Sequence, residues 1–358
     1  ASNGKEALAI LSENEVNLIL TDVMMPEMDG IQLCNAVKSH LQTSHIPVII
    51  LSAKVDVEEQ LAGLKMGADD YIPKPFNPLE IVARVTANIR QYDRMKDKFE
   101  NAVPSEEPEE IIKTAYEKGL DRIIFTEHCE ANLNEAMPEG KPAWPPLDIA
   151  AYTAKIEELK KTAPLSVGVG IELGQATFAL ENAEKALGAY DWDFVLGSMH
   201  NIRNGIDFYY VDYSKADIGG LTKLYFEDLY DLVKWNGFDV LSHLYYHLRY
   251  IYRQHYTLDI RKYEPEIREI FRLLVENGKG IEVNTSSFDG AFGDVIPGLY
   301  FLKVYKEIGG EIITVGSDAH KAERIALGFD YAYDLLREAG FKAVSVFEKR
   351  KVSFKDIV

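Results

Sequence analysis

The strongest constraint on the fold is the repeated ending of hydrophobic strand-like runs in side chains that bind metals. Ile123-Ile124-Phe125-Thr126 runs into Glu127-His128, and Val167-Gly168-Val169-Gly170-Ile171 into Glu172. Phe194-Val195-Leu196-Gly197-Ser198 leads to His200, and Asp239-Val240-Leu241-Ser242 to His243. Ile312-Ile313-Thr314-Val315-Gly316-Ser317 leads to Asp318 and His320. Helical patterns separate these runs, so the strands should be parallel, with all their C-terminal ends on one face. In a parallel α/β barrel that face gathers catalytic groups. Four imidazoles and two or three carboxylates on one rim suit a cluster of divalent ions.

The chain divides near residue 100. Residues 1–98 form one βα segment, residues 99–108 a charged, proline-containing junction, and residues 109–358 the barrel. In the first segment, Asp22, Ser52 and Lys74 each end a predicted strand. Adjacent parallel strands would bring a carboxylate, a hydroxyl and an ammonium to one edge. A carboxylate there can accept a phosphoryl group while the other two pair its oxygens.

Net charge is 39 − 57 = −18, which argues against binding nucleic acid or an anionic membrane through a basic face. No apolar run is long enough to span a bilayer. Two cysteines in different segments, Cys34 and Cys129, favour a reducing cytoplasm over a disulfide framework.

With TDVMMPEMDG, LSAK and KPF, the first segment resembles a response-regulator receiver domain of flavodoxin-like fold. The resemblance implies Asp22 as phospho-acceptor, Ser52 as switch hydroxyl, Lys74 as phosphate contact, Mg²⁺ as cofactor and a histidine kinase as partner. The chain matches the family only from its second helix onward. The acids that hold Mg²⁺ are therefore not in it, and the kinase reading ranks last.

The second segment carries FTEH at 125–128, IELG at 171–174, GSMH at 197–200, SH at 242–243, EVNTS at 282–286 and GSDAH at 316–320. It resembles the polymerase-and-histidinol-phosphatase (PHP) family, most closely its histidinol-phosphatase branch. The resemblance implies a distorted seven-stranded (β/α) barrel, two or three Zn, Fe or Mn ions, and hydrolysis of a small phosphomonoester such as histidinol phosphate. It implies Glu172 as a bridge between metals, His200 and His243 as ligands of one, Asp318 of another, and His128 and His320 of a third. Glu172, His200 and Asp318 would then be the catalytic centre, with Arg203, Arg249 and Arg253 gripping phosphate or substrate carboxylate.

The family opens with a strand ending in His-x-His, and no His-x-His occurs in this chain. The expectation is a barrel without its first strand, preceded by a partial receiver. Both segments lack a strand at the front, which suggests an engineered chimera. A defective gene and a piece of a longer chain are the alternatives. Three readings compete: a metallophosphatase, a catalytically impaired fold chimera, and a receiver-regulated signalling protein.

Overall fold

The computed structural model describes residues 1–13, 16–39, 43, 46–52, 68–78, 81–82, 84–86, 107–132, 146–203 and 205–357. It contains two compact units, Ala1–Pro104 and Ser105–Val358.

In the first unit, α1 (Gly4–Glu13) and α2 (Gly30–Ser39) accompany β1 (Ile19–Asp22), β2 (Val48–Ser52) and β3 (Asp70–Pro73). The three strands are parallel in the order β1-β2-β3. Leu33, Cys34 and Val37 of α2 pack on Ile19, Val48 and Ile50, which makes one face of the sheet the core. The turn after β1 requires a glycine, because a Cβ on Gly30 would lie 2.1 Å from the Asp22 carbonyl oxygen. The helical pattern that the sequence shows near Glu58–Met66 and the junction residues 99–106 lie outside the described residues.

The second unit alternates helix and strand. It runs α3 (Pro108–Glu117), β4 (Arg122–Glu130), α4 (Ile149–Lys160), β5 (Ser166–Gly174), α5 (Leu180–Gly188) and β6 (Phe194–Ser198). It continues through α6 (Ile218–Trp235), β7 (Val240–Leu241), α7 (Leu248–Arg253), α8 (Glu264–Glu276), β8 (Gly280–Asn284), α9 (Leu299–Glu307), β9 (Ile313–Gly316) and α10 (Phe329–Ala339). Strands β4 to β9 form one six-stranded parallel sheet in sequential order. This is a curled (β/α) half-barrel that fits the seven-stranded expectation less its first strand.

Alternation along the strands sorts the side chains. Val169, Ile171, Val195, Leu241, Ile281, Val283 and Ile313 join the outer layer, packed with the helices. Ile124, Phe194, Leu196, Val240 and Ile312 turn to the other face and pack together. The expected alternation ends instead in an antiparallel hairpin, β10 (Ala343–Glu348) and β11 (Lys351–Asp356), whose Phe347 joins this inner cluster. The N-terminal ends of the strands are tied by structural carboxylates. Asp193 accepts from the Val169 N–H at 2.9 Å, and Asp239 from the Val195 N–H at 2.9 Å.

Among the described residues, β4 pairs only with β5 and β9 only with β8. Helix α3 packs beside both strand regions. Ile111 and Ala115 cluster with Ile123 and Phe125 of β4 and with Ala322 and Ile325 after β9. Lys118 donates to the Glu323 and Ile325 carbonyls at 2.7 and 2.8 Å. No helix among the described residues is long and apolar enough to cross a membrane.

Candidate metal centre

In the first unit, Asp22, Ser52 and Pro73-Lys74 come to the same sheet edge because the strands are parallel and in register. The Lys74 ammonium pairs with the Asp22 carboxylate, and each side chain is about a third exposed (35% and 36%).

In the second unit, the inward positions at the C-terminal strand ends carry the polar groups. His128 and Glu130 share the inner face of β4. Glu172 projects from β5, and Glu282 and Asn284 from β8. His200 and His243 each come two residues after the end of their strands, β6 and β7. Asp318 follows β9 in a left-handed conformation (φ 48°), and His320 comes two residues later.

Glu172 is the hub. Its Oε1 lies 3.2 Å from His200 Nε2 and 3.0 Å from His243 Nε2, and the two nitrogens are 3.3 Å apart. Its Oε2 lies 3.5 Å from His128 Nδ1. His128 and His320 stack with ring centroids 5.7 Å apart, and His320 Nε2 is 3.7 Å from Asp318 Oδ1. Three sets of side chains converge closely enough to hold an ion: Glu172-His200-His243, His128-Glu130-His200, and His128-Asp318-His320. The first is wholly buried, whereas His128 and His320 keep 39% and 40% of their side-chain surface exposed.

The first set fits a divalent ion on geometry. Bonds of about 2.0–2.1 Å to a tetrahedral ion place neighbouring donor atoms about 3.3 Å apart. The observed 3.0, 3.2 and 3.3 Å are the edges of one such face.

The electrostatics favour a cation here. Burial opposes charge on Glu172, yet His128, His200 and His243 hold its carboxyl well below the usual range. Burial likewise opposes charge on Glu130, but His200 and His128 keep it at about 2. Burial would lower both imidazoles. Glu172 and Glu130 instead carry His128 up to about 9, and Glu130 and Glu172 carry His200 well above its ordinary value. Solvent reaches His128 far more than His200, so its pairing is the more screened. For His243 burial prevails and the imidazole is pushed down. Burial also raises the Glu282 carboxyl to about 8, with Asp318 and Glu172 adding to it.

The cationic residues separate. Arg249 is largely buried and donates to Asp318 Oδ2 at 3.3 Å and Asn284 Oδ1 at 3.5 Å, with its guanidinium 4.8 Å above the Tyr246 ring. Burial opposes its charge, but Asp318 more than compensates and raises its pKa. Arg203 is instead held by Asp228 and Asp231 of α6, at 3.6 and 3.5 Å. Arg253 lies over the Tyr250 and Tyr209 rings.

The aromatic run also divides. Tyr246 covers His200 and His243 at 4.7 Å and accepts from the Tyr250 hydroxyl. The Tyr245 hydroxyl accepts from the Gly298 N–H, and Tyr252 packs on Phe292, so both are packing residues. His247 is enclosed by Phe208, Tyr225 and Phe226, with Thr222 at 3.1 Å, and is structural.

Two residues escaped the sequence reading. Glu130 lies 2.7 Å from His200 Nδ1, whereas the sequence suggests Glu127 as the acid that partners an imidazole. The acid next to His128, Glu127, falls on the opposite face of β4. The two-residue period from His128 would have picked out Glu130. Glu282 lay inside the EVNTS motif without a role. It accepts from the His243 N–H at 3.2 Å and from Asn284 at 3.1 Å.

Two known families match the chain. Residues 1–86 match the response regulator receiver domain, and residues 104–286 match the PHP domain. The fold is similar to the crystal structure of histidinol phosphate phosphatase (HISK) from Lactococcus lactis, complexed with Zn, L-histidinol and phosphate. The TM-score is 0.60 at 25% identity, covering 70% of this chain and 94% of that one. The first segment is 48% identical over 91 residues to the transcriptional regulatory protein SrrA of Staphylococcus aureus, covering 25% of this chain and 36% of that protein. The chain is also 41% identical over 124 residues to histidine kinase P4 of Formosa agariphila, covering 32% of this chain and 9% of that protein. The chain thus spans well under half the length of these two curated relatives.

Proposed function

The chain belongs to the PHP domain family, and we propose that its barrel is a metal-dependent phosphomonoester hydrolase acting on a small substrate of the histidinol phosphate kind. The observation that carries this reading is the tetrahedral spacing of Glu172 Oε1, His200 Nε2 and His243 Nε2. Zn, Fe or Mn suits such a nitrogen-rich set. A divalent ion there supplies positive charge against phosphate and activates water at neutral pH.

The chain's own residues do the rest. Glu172 spans two candidate sites, offering Oε1 to the buried histidines and Oε2 toward His128. Asp318 and His320 extend the donor set from β9 with His128. Arg249 is the phosphate-gripping residue, because burial beside Asp318 and Asn284 fixes its planar donors at the site. Arg203 and Arg253 have a weaker case, since acids of α6 hold the first and tyrosine rings the second. Tyr246 shields two histidines from water and forms one wall for a substrate ring.

A second reading, metal binding without turnover in a fold chimera, is favoured by the lack of any His-x-His in the sequence. A third, regulation through phosphorylation of Asp22 by a histidine kinase, draws on the receiver match. A mass shift with acetyl phosphate and Mg²⁺ is the signature it requires. Phosphate release from histidinol phosphate with Mn²⁺ or Zn²⁺, with His243→Ala as control, separates the first two. Release that depends on His243 supports the hydrolase. No release from folded, metal-loaded protein leaves the impaired chimera.

A further inference from the structure

The geometry points to Glu130 as a positioning residue that fixes the tautomer of His200, so that Nε2 is the nitrogen offered to a metal. This rests on reading Glu172, His200 and His243 as a metal site.

Glu130 is the last residue of β4 and pairs in register with Gly174 at the end of β5. The glycine is what lets the carboxylate lie across the neighbouring strand. A Cβ at Gly174 would come within 2.1 Å of Glu130 Oε2. From that seat Glu130 Oε1 lies 2.7 Å from His200 Nδ1, the shortest contact the imidazole makes with a carboxylate. Gln175 closes the arrangement. Its side chain is fully buried, and its amide fits with the nitrogen donating to Glu130 Oε2 and the oxygen accepting from the His200 main-chain N–H at 2.7 Å.

A neutral imidazole that donates its one proton from Nδ1 presents a lone pair at Nε2. On His200 that lone pair faces Glu172 Oε1 and His243 Nε2. The opposite tautomer would aim an N–H at the place an ion must occupy and set two lone pairs against each other at Glu130. A direct ligand role for Glu130, through the set it forms with His128 and His200, would take His200 Nδ1 for the ion. That would forfeit the 2.7 Å bond and turn His200 from the fully buried set.

The test uses the full chain, with Zn²⁺ affinity measured by chelator competition and the His200 tautomer read from long-range ¹H–¹⁵N NMR on metal-free protein at a pH high enough to leave the imidazole neutral, since Glu130 and Glu172 favour its second proton. Wild type should show His200 protonated at Nδ1. Glu130→Ala should mix the tautomers and weaken Zn²⁺ binding by about 10–100-fold, the usual cost of removing such a partner. Glu130→Gln, which keeps an acceptor oxygen, should restore the tautomer and most of the affinity, and it serves where the alanine variant fails to fold. An unchanged tautomer in both variants overturns the proposal. So does loss of one whole equivalent of metal in Glu130→Gln, which would make Glu130 a ligand. If wild type takes up no Zn²⁺, the metal reading fails by itself, and the tautomer in wild type and variants still decides the role of Glu130.

Discussion

Asp22 and Glu172 each stand near the C-terminal end of a parallel strand, one in each unit, and they are balanced differently. Asp22 is a third exposed and meets one ammonium, Lys74. Its charge is neutralised one for one, in reach of solvent. Glu172 is 6% exposed and meets three imidazoles, with Glu130, Glu282 and Asp318 close by. Carboxylates this deep cannot stay ionised without cations, so the barrel must take up either protons or metal. Groups of side chains able to hold an ion, among the described residues, lie in the barrel. Topology alone therefore does not make a site. The same strand-end placement yields an ion pair in one sheet and a cation requirement in the other.

The sharpest break in that comparison is to neutralise both carboxylates. Glu172→Gln should reduce phosphate release on the order of 10³-fold or more, since several kcal/mol of charge stabilisation goes with the metal. Asp22→Asn should leave release unchanged. Equal losses in steady-state assays would mean that the receiver edge takes part in the barrel's chemistry. Next in size is Arg249→Ala, which removes a charge-assisted contact worth about 1.5–3 kcal/mol. KM should rise about 10–100-fold. A fall in kcat with KM unchanged would instead assign Arg249 to holding Asp318.

The third prediction concerns cation uptake. In metal-free protein the Glu282 carboxyl sits at about 8 against an ordinary 4.5. The unfolded chain loses that proton first, so stability falls as pH rises from 4.5 to 8. His128, raised to about 9 from 6.5, contributes fully below pH 6.5, and its contribution is lost as pH climbs through 9. Both trends run the same way between 6.5 and 8. Glu130, held at about 2, acts oppositely and only in acid, losing its contribution as pH falls from 4.5. Zn²⁺ supplies the positive charge without protons, so it should raise the barrel's melting temperature more at pH 8.5 than at pH 6.5. Each kcal/mol is worth about 2–4 °C in a unit of this size. Equal Zn²⁺ shifts at the two pH values would show that protons and metal do not compete for the cluster.

Much of the barrel was legible because its ligands punctuate hydrophobic runs. His128, Glu172, His200, His243 and Asp318 were visible as strand-end residues, and the folded chain gathers them. Contacts made across long sequence separations were not visible. Arg203 looked free to face the mouth, but Asp228 and Asp231 hold it from 25 and 28 residues further on. Tyr245, Tyr246, Tyr250 and Tyr252 fall within eight residues of one another in the sequence, which says nothing of where each turns. Tyr246 covers the histidines, whereas the Tyr245 hydroxyl takes the Gly298 N–H and the half-buried Tyr252 packs on Phe292. The hairpin that places Phe347 inside the sheet followed the last alternating element and carried no signal of its inward residue.

The smallest effect tests the receiver half of the comparison. Lys74→Ala should cost less than about 1 kcal/mol of the first unit's stability, since both partners are solvated and the pair is screened. Lys38→Ala should cost more, although it also removes one lysine beside one aspartate. Lys38 and Asp69 are only 15% and 19% exposed, and Asp69 also accepts the Val48 N–H at 2.8 Å at the start of β2. Without Lys38 the Asp69 carboxylate remains tied to the backbone, short of both water and a counter-charge. Chemical denaturation of the two variants measures the difference directly. If Lys74→Ala proves the costlier, Asp22 depends on its lysine as a buried group would, and the contrast between a solvated pair and a buried cluster no longer separates the two units.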